Sequence, residues 1–428
     1  MYTLERYRPT VVDLFAGAGG LSLGFESAGF DVVASVEIDP VHCAVHEFNF
    51  PRTKTICASI ADITGDEIIS LADVGSEIDV VIGGAPCQGF SLIGKRALDD
   101  PRNQLVYHYI RIVNEIQPKY FVFENVKGIT VGEHKKFLNE MIDEFRKIGY
   151  QILLDYKVLN ARDFGVPQDR KRLFLIGARS DQQLPEYPVP LKTTPTVWDA
   201  IGDLPNADDF WELETTDSIE VEFASFSEYQ KVRRGLLSDP SDYSYKRRWK
   251  ESMLTSSMTT KHTELSKQRF SATKNGDTEE ISRFLKLAPD GVCNTLRAGT
   301  NKDRGAYTSP RPIHPTFPRV ITVREAARLH SYPDWFRFNI TKWHGFRQIG
   351  NSVPPLLGRA VGSSVMKALG ITPFVPSEVL NLGQEKLLTM DLSNAARYFT
   401  VDSNVIANRN RTLQGSFLWE KRRISTAL

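Results

Sequence analysis

Thr10-Val11-Val12-Asp13-Leu14-Phe15-Ala16-Gly17-Ala18-Gly19-Gly20 is the stretch that decides the fold. A short apolar run meets a cluster of glycines, as a buried strand does on entering a tight turn. Glycine tolerates φ > 0 and lets a ligand approach the backbone, so the turn suits nucleotide-like binding as well as a merely tight bend. The spacing departs from the dinucleotide fingerprint, because Ser22 stands where a third spaced glycine is needed. That departure counts against a nicotinamide oxidoreductase. Residues 31–36 form a second strand candidate that ends in Glu37-Ile38-Asp39. An acid there, ~20 residues past the glycines, is placed to bind ribose hydroxyls; a solvated turn carboxylate is the plainer alternative. Asp62, followed by Ile63, either contacts an adenine amine or caps a helix.

The same rhythm runs outward from this stretch. Residues 78–82, 120–123, 152–158 and 172–176 are further strand candidates, and residues 104–116 and 134–148 carry helical patterns. Strands alternating with helices predict an α/β fold, a doubly wound Rossmann-like sheet with helices on both faces. At 428 residues the chain exceeds the usual size of one hydrophobic core, so two lobes are expected. Pro185, Pro188, Pro190 and Pro195 crowd a boundary near Tyr187. The predicted division is a first lobe over 1–186, a polar, basic and irregular lobe over 187–318, a return segment over 319–370 and an extension of unknown role over 371–428. Within the return segment, Thr322 with Glu325 forms a capping box ahead of residues 323–330, and a further helix covers 355–369.

Composition sets the outer limits. Hydrophobic residues make up 41% and charged residues 25%, which is ordinary for a globular protein. No stretch approaches ~20 uninterrupted apolar residues, which excludes a helical membrane span, and the start lacks an apolar signal core, so a cytoplasmic location is expected. Cys43, Cys57, Cys87 and Cys293 are scattered without zinc-site or disulfide spacing, so no metal is expected. Net charge is +1, so any nucleic-acid partner must be met locally. Lys231, Arg233, Arg234, Lys246, Arg247, Arg248, Lys250, Lys261, Lys267, Arg269 and Lys274 crowd one region, with Tyr243, Tyr245 and Trp249 among them. They read either as a phosphate-binding surface or as a solvated basic face.

Chemistry concentrates beyond the strand at 78–82. It opens into Gly83-Gly84-Ala85-Pro86-Cys87-Gln88-Gly89-Phe90-Ser91, a polar loop that continues into Lys95, Arg96 and Arg102. Those cations favour a Cys87 thiolate and can hold a phosphate backbone, whereas Cys43, Cys57 and Cys293 read as buried structural thiols. The strand at 120–123 runs into Glu124-Asn125-Val126, where a partly desolvated carboxyl suits proton donation and an ordinary strand-end carboxylate is the equal alternative. Gln168-Asp169-Arg170-Lys171-Arg172 puts two arginines on one side of an extended run, as a functional or an ordinary surface pair.

Glycine loop, Pro-Cys loop, Glu-Asn-Val and Gln-x-Arg-x-Arg, in that order, resemble the cytosine-C5 DNA methyltransferases, of the bacterial restriction–modification type. Arg324-Glu325-Ala326-Ala327-Arg328-Leu329 with Tyr332-Pro333 looks like that family's ninth motif, and 348–355, Gln-Ile-Gly-Asn-Ser-Val-Pro-Pro, like its tenth. His330-Ser331-Tyr332 is a mild departure from the glutamine and phenylalanine often found there. The resemblance covers about 11–200 and 319–370.

The resemblance implies a sequence-specific methyltransferase that takes a methyl group from S-adenosylmethionine to carbon 5 of a cytosine flipped out of double-stranded DNA. Cys87 would add to carbon 6, Glu124 would bond or protonate N3, Asn125 would position the loop, and Arg170 with Arg172 would stabilise charge near the base oxygen. Phe15, Gly17, Gly19, Glu37, Ile38, Asp62, Ile63, Pro86, Asn351, Ser352 and Val353 would line the methyl donor. Ser91, Lys95 and Arg96 would lie near phosphate, and the basic lobe would serve as a target-recognition domain in which Thr295-Leu296 matches a recurrent Thr-Leu pair. Monomeric action and a cognate restriction endonuclease are implied by family habit. Rival readings are a tRNA cytosine-C5 methyltransferase, disfavoured by the long recognition stretch, and a catalytically inactive DNA-binding relative, disfavoured by the intact Cys87, Glu124, Arg170 and Arg172.

Overall fold

Every residue of β1 (Thr10–Leu14) is buried, and the reason is its place in the middle of a sheet. The computed structural model describes residues 7–75, 77–86, 104–223, 227–299 and 311–403. Within them the sheet continues with β2 (Asp31–Glu37), β3 (Lys54–Cys57), β4 (Val80–Gly83), β5 (Tyr120–Val126), β6 (Tyr150–Ile152), β7 (Lys157–Asn160) and β8 (Lys171–Arg179). The order is β3-β2-β1-β4-β5-β8-β6, with β7 also paired to β8. Strands β1 to β5 are parallel, and β8 runs antiparallel to β5. Strand order reverses between β1 and β4, so a crevice opens at their carboxyl ends.

Helices cover both faces, as the alternation of strand and helix patterns predicts. α1 (Gly20–Ser27), α2 (Pro40–Asn49), α3 (Gly65–Ala72), α4 (Gln104–Ile116) and α5 (Glu133–Lys147) connect the parallel strands. Val12 and Leu14 face a core shared with Ile68 of α3, Val113 of α4 and Phe137 of α5. Val11, pointing the other way, packs with Leu21 and Phe25 of α1. Residues 152–158 are not one strand: the chain breaks between β6 and β7, where Asp155 takes φ 58°. An apolar pattern does not show that left-handed step.

Beyond β8 the elements are short: α6 (Val197–Ile201), β9 (Ile219–Glu220), α7 (Glu228–Arg233), β10 (Lys246–Arg248), β11 (Met253–Leu254) and α8 (Glu264–Ala272). Regular helices return with α9 (Val323–Leu329), α10 (Lys342–Asn351) and α11 (Pro355–Ala368). The expected capping box is present, since the Thr322 side chain accepts from Glu325 N. α11 packs on α1 so closely that a Cβ on Gly24 would lie 2.7 Å from Gly358 Cα. The return segment therefore completes the first core, with Leu357, Val361 and Val365 joining Val11 and Phe25.

The basic run does not form one surface. Arg247 is buried, pairing with Glu26 and donating to Asn49 O, while Tyr245 donates to Asp31. Arg233 is buried and donates to Ser331 O. Asp31 begins β2, so residues 243–248 brace the sheet at the edge opposite the crevice. There β10 pairs with β12 (Val379–Asn381), and Arg8 donates to Asp31, Tyr243 O and Phe374 O. Past β12, Leu387 and Leu388 share an apolar cluster with Ala18 of the glycine loop and with Val45 and Phe48 of α2. The last described helix, α12 (Leu392–Tyr398), reaches back through Tyr398, whose hydroxyl donates to Glu47. No described helix is long and apolar enough to cross a membrane.

Candidate active site

A cavity of about 530 Å³ occupies the crevice, lined from the loop after β1, the end of β2, the loop after β4, the end of β5, Arg172 and the end of α10. The glycine loop bends because Phe15, Gly17 and Gly19 all take positive φ, at 61°, 57° and 97°. It is pinned to β2 by Phe15 N and Ala16 N, which donate to Val36 O at 2.8 and 3.2 Å. At Gly19 a Cβ would come within 2.3 Å of the Phe50 ring, whereas one on Gly17 would meet nothing within 4 Å. Glu37 is fixed at both oxygens: Gly17 N donates to Oε2 at 2.9 Å and Asp39 N to Oε1 at 2.8 Å. Asp39 caps α2 and accepts from Arg347 Nη1 at 3.0 Å, which ties β2 to α10.

Beneath the loop lies a buried polar relay. Ser22 Oγ donates to Asp13 Oδ2 at 2.5 Å and lies 3.1 Å from His46 Nε2, while Ser35 Oγ lies 3.2 Å from His46 Nδ1. Burial pushes the Asp13 carboxyl up to about 7, partly offset by the Ser22 hydrogen bond. Burial also pushes His46 down to about 3, so its ring is neutral. A neutral ring donates from one nitrogen only. With Ser22 donating to Asp13, the consistent direction is Ser35 to His46 to Ser22 to Asp13.

The other half of the cavity holds the carboxyl at the mouth of β5. Glu124 Oε1 lies 2.8 Å from Arg172 Nε, a neighbour across the antiparallel ladder between β5 and β8. Burial raises the Glu124 carboxyl above its ordinary range, although Arg172 and then Arg170 pull it down. Gly84 makes room for it, since a Cβ there would lie 2.6 Å from Glu124 Oε2. Asn125 Nδ2 donates to Ala85 O at 2.9 Å and its Oδ1 accepts from Val126 N, which holds the loop leading to Pro86 against β5. Cys87, Ser91, Lys95 and Arg96 lie outside the described residues.

Residues 9–367 match the family C-5 cytosine-specific DNA methylase. The chain belongs to that family. It is a DNA cytosine-5 methyltransferase, and its relatives agree. Type II methyltransferase M.XorII of Xanthomonas oryzae pv. oryzae is 62% identical over 405 residues, covering 94% of this chain and 95% of that protein. Type II methyltransferase M1.HphI of Haemophilus parahaemolyticus is 34% identical over 365 residues, covering 84% and 87%. A crystal structure assigned to a DNA modification methyltransferase encoded within a prophage of E. coli superposes with TM-score 0.70 at 34% identity, covering 85% and 99%.

Among the described residues, this methylase brings together most of the site residues singled out from its sequence. Phe15, Gly17, Glu37, Pro86, Glu124, Asn125, Arg172, Asn351, Ser352 and Val353 all line the cavity. Gly19, Ile38, Asp62 and Ile63 are not in its lining. Gly19 shapes the turn from behind, Ile38 and Asp62 are exposed, and Ile63 is buried in the core.

Arg170 also stays out of the cavity. It is fully buried and donates to Leu296 O at 2.8 Å, Gly350 O at 2.7 Å and Ser352 O at 2.8 Å. Three carbonyls take hydrogen bonds from its two terminal nitrogens while Nε is buried without a partner among the described residues, so the side chain braces the cavity wall. Of the two expected DNA contacts in the basic lobe, Leu296 is buried at 3% exposure, whereas Thr295 is half-buried, with Oγ1 donating to Asp169 O at 2.6 Å. Cys43 and Cys293 are buried with their thiols pushed up, as structural cysteines.

Sequence reasoning missed His42, Gln348 and Arg347 in the lining, and the relay partners Ser22 and His46. The signal for Ser22 was present, because a hydroxyl residue replaces the expected glycine one helical turn from the loop.

Proposed function

We propose that this methyltransferase acts on double-stranded DNA with S-adenosylmethionine as donor, and that its cavity holds the donor beside a flipped cytosine. The observation that carries the reading is one cavity containing both a fixed Glu37 under open glycine backbone and a buried, raised Glu124. The fit is good in size, since small-molecule sites run to roughly 300–1,000 Å³. Open space over Gly17 admits a ligand against the backbone, and each Glu37 oxygen keeps a lone pair for a ribose hydroxyl. The residues that would hold the donor are Phe15, Gly17, Glu37, Pro86, Asn351, Ser352 and Val353. Bound there, the sulfonium supplies the methyl group.

The chain's own residues do the rest. Cys87, one residue beyond Pro86, adds as a thiolate to carbon 6 of the base, which loads electron density onto carbon 5. Glu124 in its protonated form donates to N3 and relieves the charge that develops in the ring. Arg172 orients Glu124, while its charge also favours a negative base oxygen. Asn125 holds Ala85, two residues before Cys87 in the chain, at the end of β4. After methylation carbon 5 gives its proton to solvent, the electrons of that bond restore the 5,6 double bond and expel the Cys87 thiolate, and N3 returns its proton to Glu124.

The Type II relatives support a modification role alongside a restriction endonuclease. Labelled methyl transfer to duplex DNA and to tRNA tests the reading. Incorporation into duplex cytosines is expected, and activity on tRNA alone would overturn it.

A further inference from the structure

Beside the cavity a second depression of about 450 Å³ opens in the basic lobe, lined by Asp169, Thr295, Arg283, Arg297 and Arg311, with Phe284 at its wall. Thr295 and Asp169 are hydrogen-bonded to one another, so the depression is fastened to the extended run that carries Arg170 and Arg172. That run rises ~3.3 Å per residue, which puts Asp169 about 10 Å from Arg172. Base pairs stack ~3.4 Å apart, so a span of about 10 Å corresponds to about three steps of a duplex laid along that run.

Two of its arginines are uncommitted. Arg311 donates to Thr260 and lies 5.2 Å over the Phe346 ring. Among the described residues, no hydrogen bond or ion pair holds the guanidinium of Arg283 or Arg297, and both are exposed. Elsewhere in the basic lobe, Arg233 is buried and donates to a carbonyl, and Arg247 is buried and paired with a carboxylate.

Arg283 is also strained. Its φ is 59°, in the left-handed region, at a cost of ~1–3 kcal/mol. Buried Glu279 builds the turn: its carboxylate accepts from Ile281 N at 3.2 Å and Ser282 N at 2.5 Å, and its carbonyl from Arg283 N at 2.9 Å. Glycine would relieve the strain and lose no side-chain hydrogen bond or ion pair among the described residues.

We propose that Arg283 and Arg297 read guanines in the major groove, each presenting its planar fork to O6 and N7 of a guanine within about three base pairs of the methylated cytosine. The claim rests on the DNA-methylation reading above and adds the chemistry of its target site. The exposed guanidinium forks of Arg283 and Arg297 can meet a guanine edge bidentately, which is the commonest specific arginine contact, and the mapping experiment separates that from a phosphate contact.

The test maps methylated cytosines in a randomised duplex library treated with the full-length wild type, Arg283→Gly and Arg297→Ala. Glycine suits the positive φ, so Arg283→Gly folds at least as well as the wild type. The wild type should require a guanine near its cytosine, and each variant should relax that requirement on the order of 10- to 100-fold at one position. Duplexes with 7-deazaguanine at that position, which lacks the N7 acceptor, should slow the wild type and leave the matching variant unaffected. Unchanged guanine preference in both variants overturns the inference while leaving methylation intact. So does an even loss across all sequences with a shallower salt dependence, the sign of a phosphate contact. A wild type that methylates no DNA defeats both claims at once.

Discussion

Arg172 Nε lies 2.8 Å from Glu124 Oε1, and yet burial still lifts the Glu124 carboxyl above the ordinary range. The raised pKa keeps a protonated fraction nearer neutrality, in the form that can donate to N3. Activity should fall on the alkaline side as Glu124 ionises. Glu124→Gln should lose ~10²- to 10⁴-fold in kcat and lack that alkaline limb, with DNA binding retained. Gly84→Ala pushes a Cβ into the space 2.6 Å from Glu124 Oε2. A displaced carboxyl should cost about 10- to 100-fold in kcat with little change in Tm. Steady-state kinetics across pH check both.

The two arginines of the Gln-x-Arg-x-Arg run should separate in mutagenesis. Arg170→Ala leaves the carbonyls of Leu296, Gly350 and Ser352 without their donor, so stability should drop by about 3 kcal/mol or more, at roughly 1–3 kcal/mol for each buried group left unsatisfied. Arg172→Ala should leave the unfolding midpoint nearly unmoved and lower kcat by ~10²-fold or more. Denaturant unfolding alongside single-turnover rates distinguishes the two. Equal effects on stability would contradict the roles assigned.

Both arginines were legible as a pair from period-two spacing, but their different fates were not. The split depends on chain that returns from 126 to 182 residues away to offer Arg170 its carbonyls. The parallel sheet was legible from the apolar runs of β1, β2, β4 and β5, whereas β3, Lys54–Cys57, carries no such run and was not read. The carboxylates at strand ends followed from that. The basic cluster misled for the opposite reason: charge density in sequence does not reveal Glu26, whose burial of Arg247 is set by tertiary packing.

Asp13 supplies a stability signature. Its pKa rises from 3.8 to about 7 on folding, so the folded state binds this proton more tightly. The stabilisation is fully present below the unfolded pKa and is lost as pH rises through about 7. Asp13→Asn should remove that slope, improving relative to the wild type by roughly 4 kcal/mol between acid and neutral pH. Melting temperatures at several pH values follow it; parallel profiles would refute the burial argument.

The extension after α11 lies beyond the matched family span, which ends at residue 367. Leu388 is 1% exposed and shares its apolar cluster with Ala18, a residue of the cavity wall. Leu388→Ala should cost ~2–4 kcal/mol and raise KM for S-adenosylmethionine more than it lowers kcat. Calorimetric titration of the donor checks the coupling.

The central claim is a covalent bond from Cys87 to carbon 6 of the target base. Duplex DNA carrying 5-fluorocytosine at the methylated position cannot release its carbon-5 substituent as a proton, so the adduct should persist. Peptide mapping after S-adenosylmethionine is added should find the DNA attached at Cys87, with none trapped by Cys87→Ser. A wild-type enzyme that methylates ordinary duplex but leaves no link at Cys87 would contradict the account.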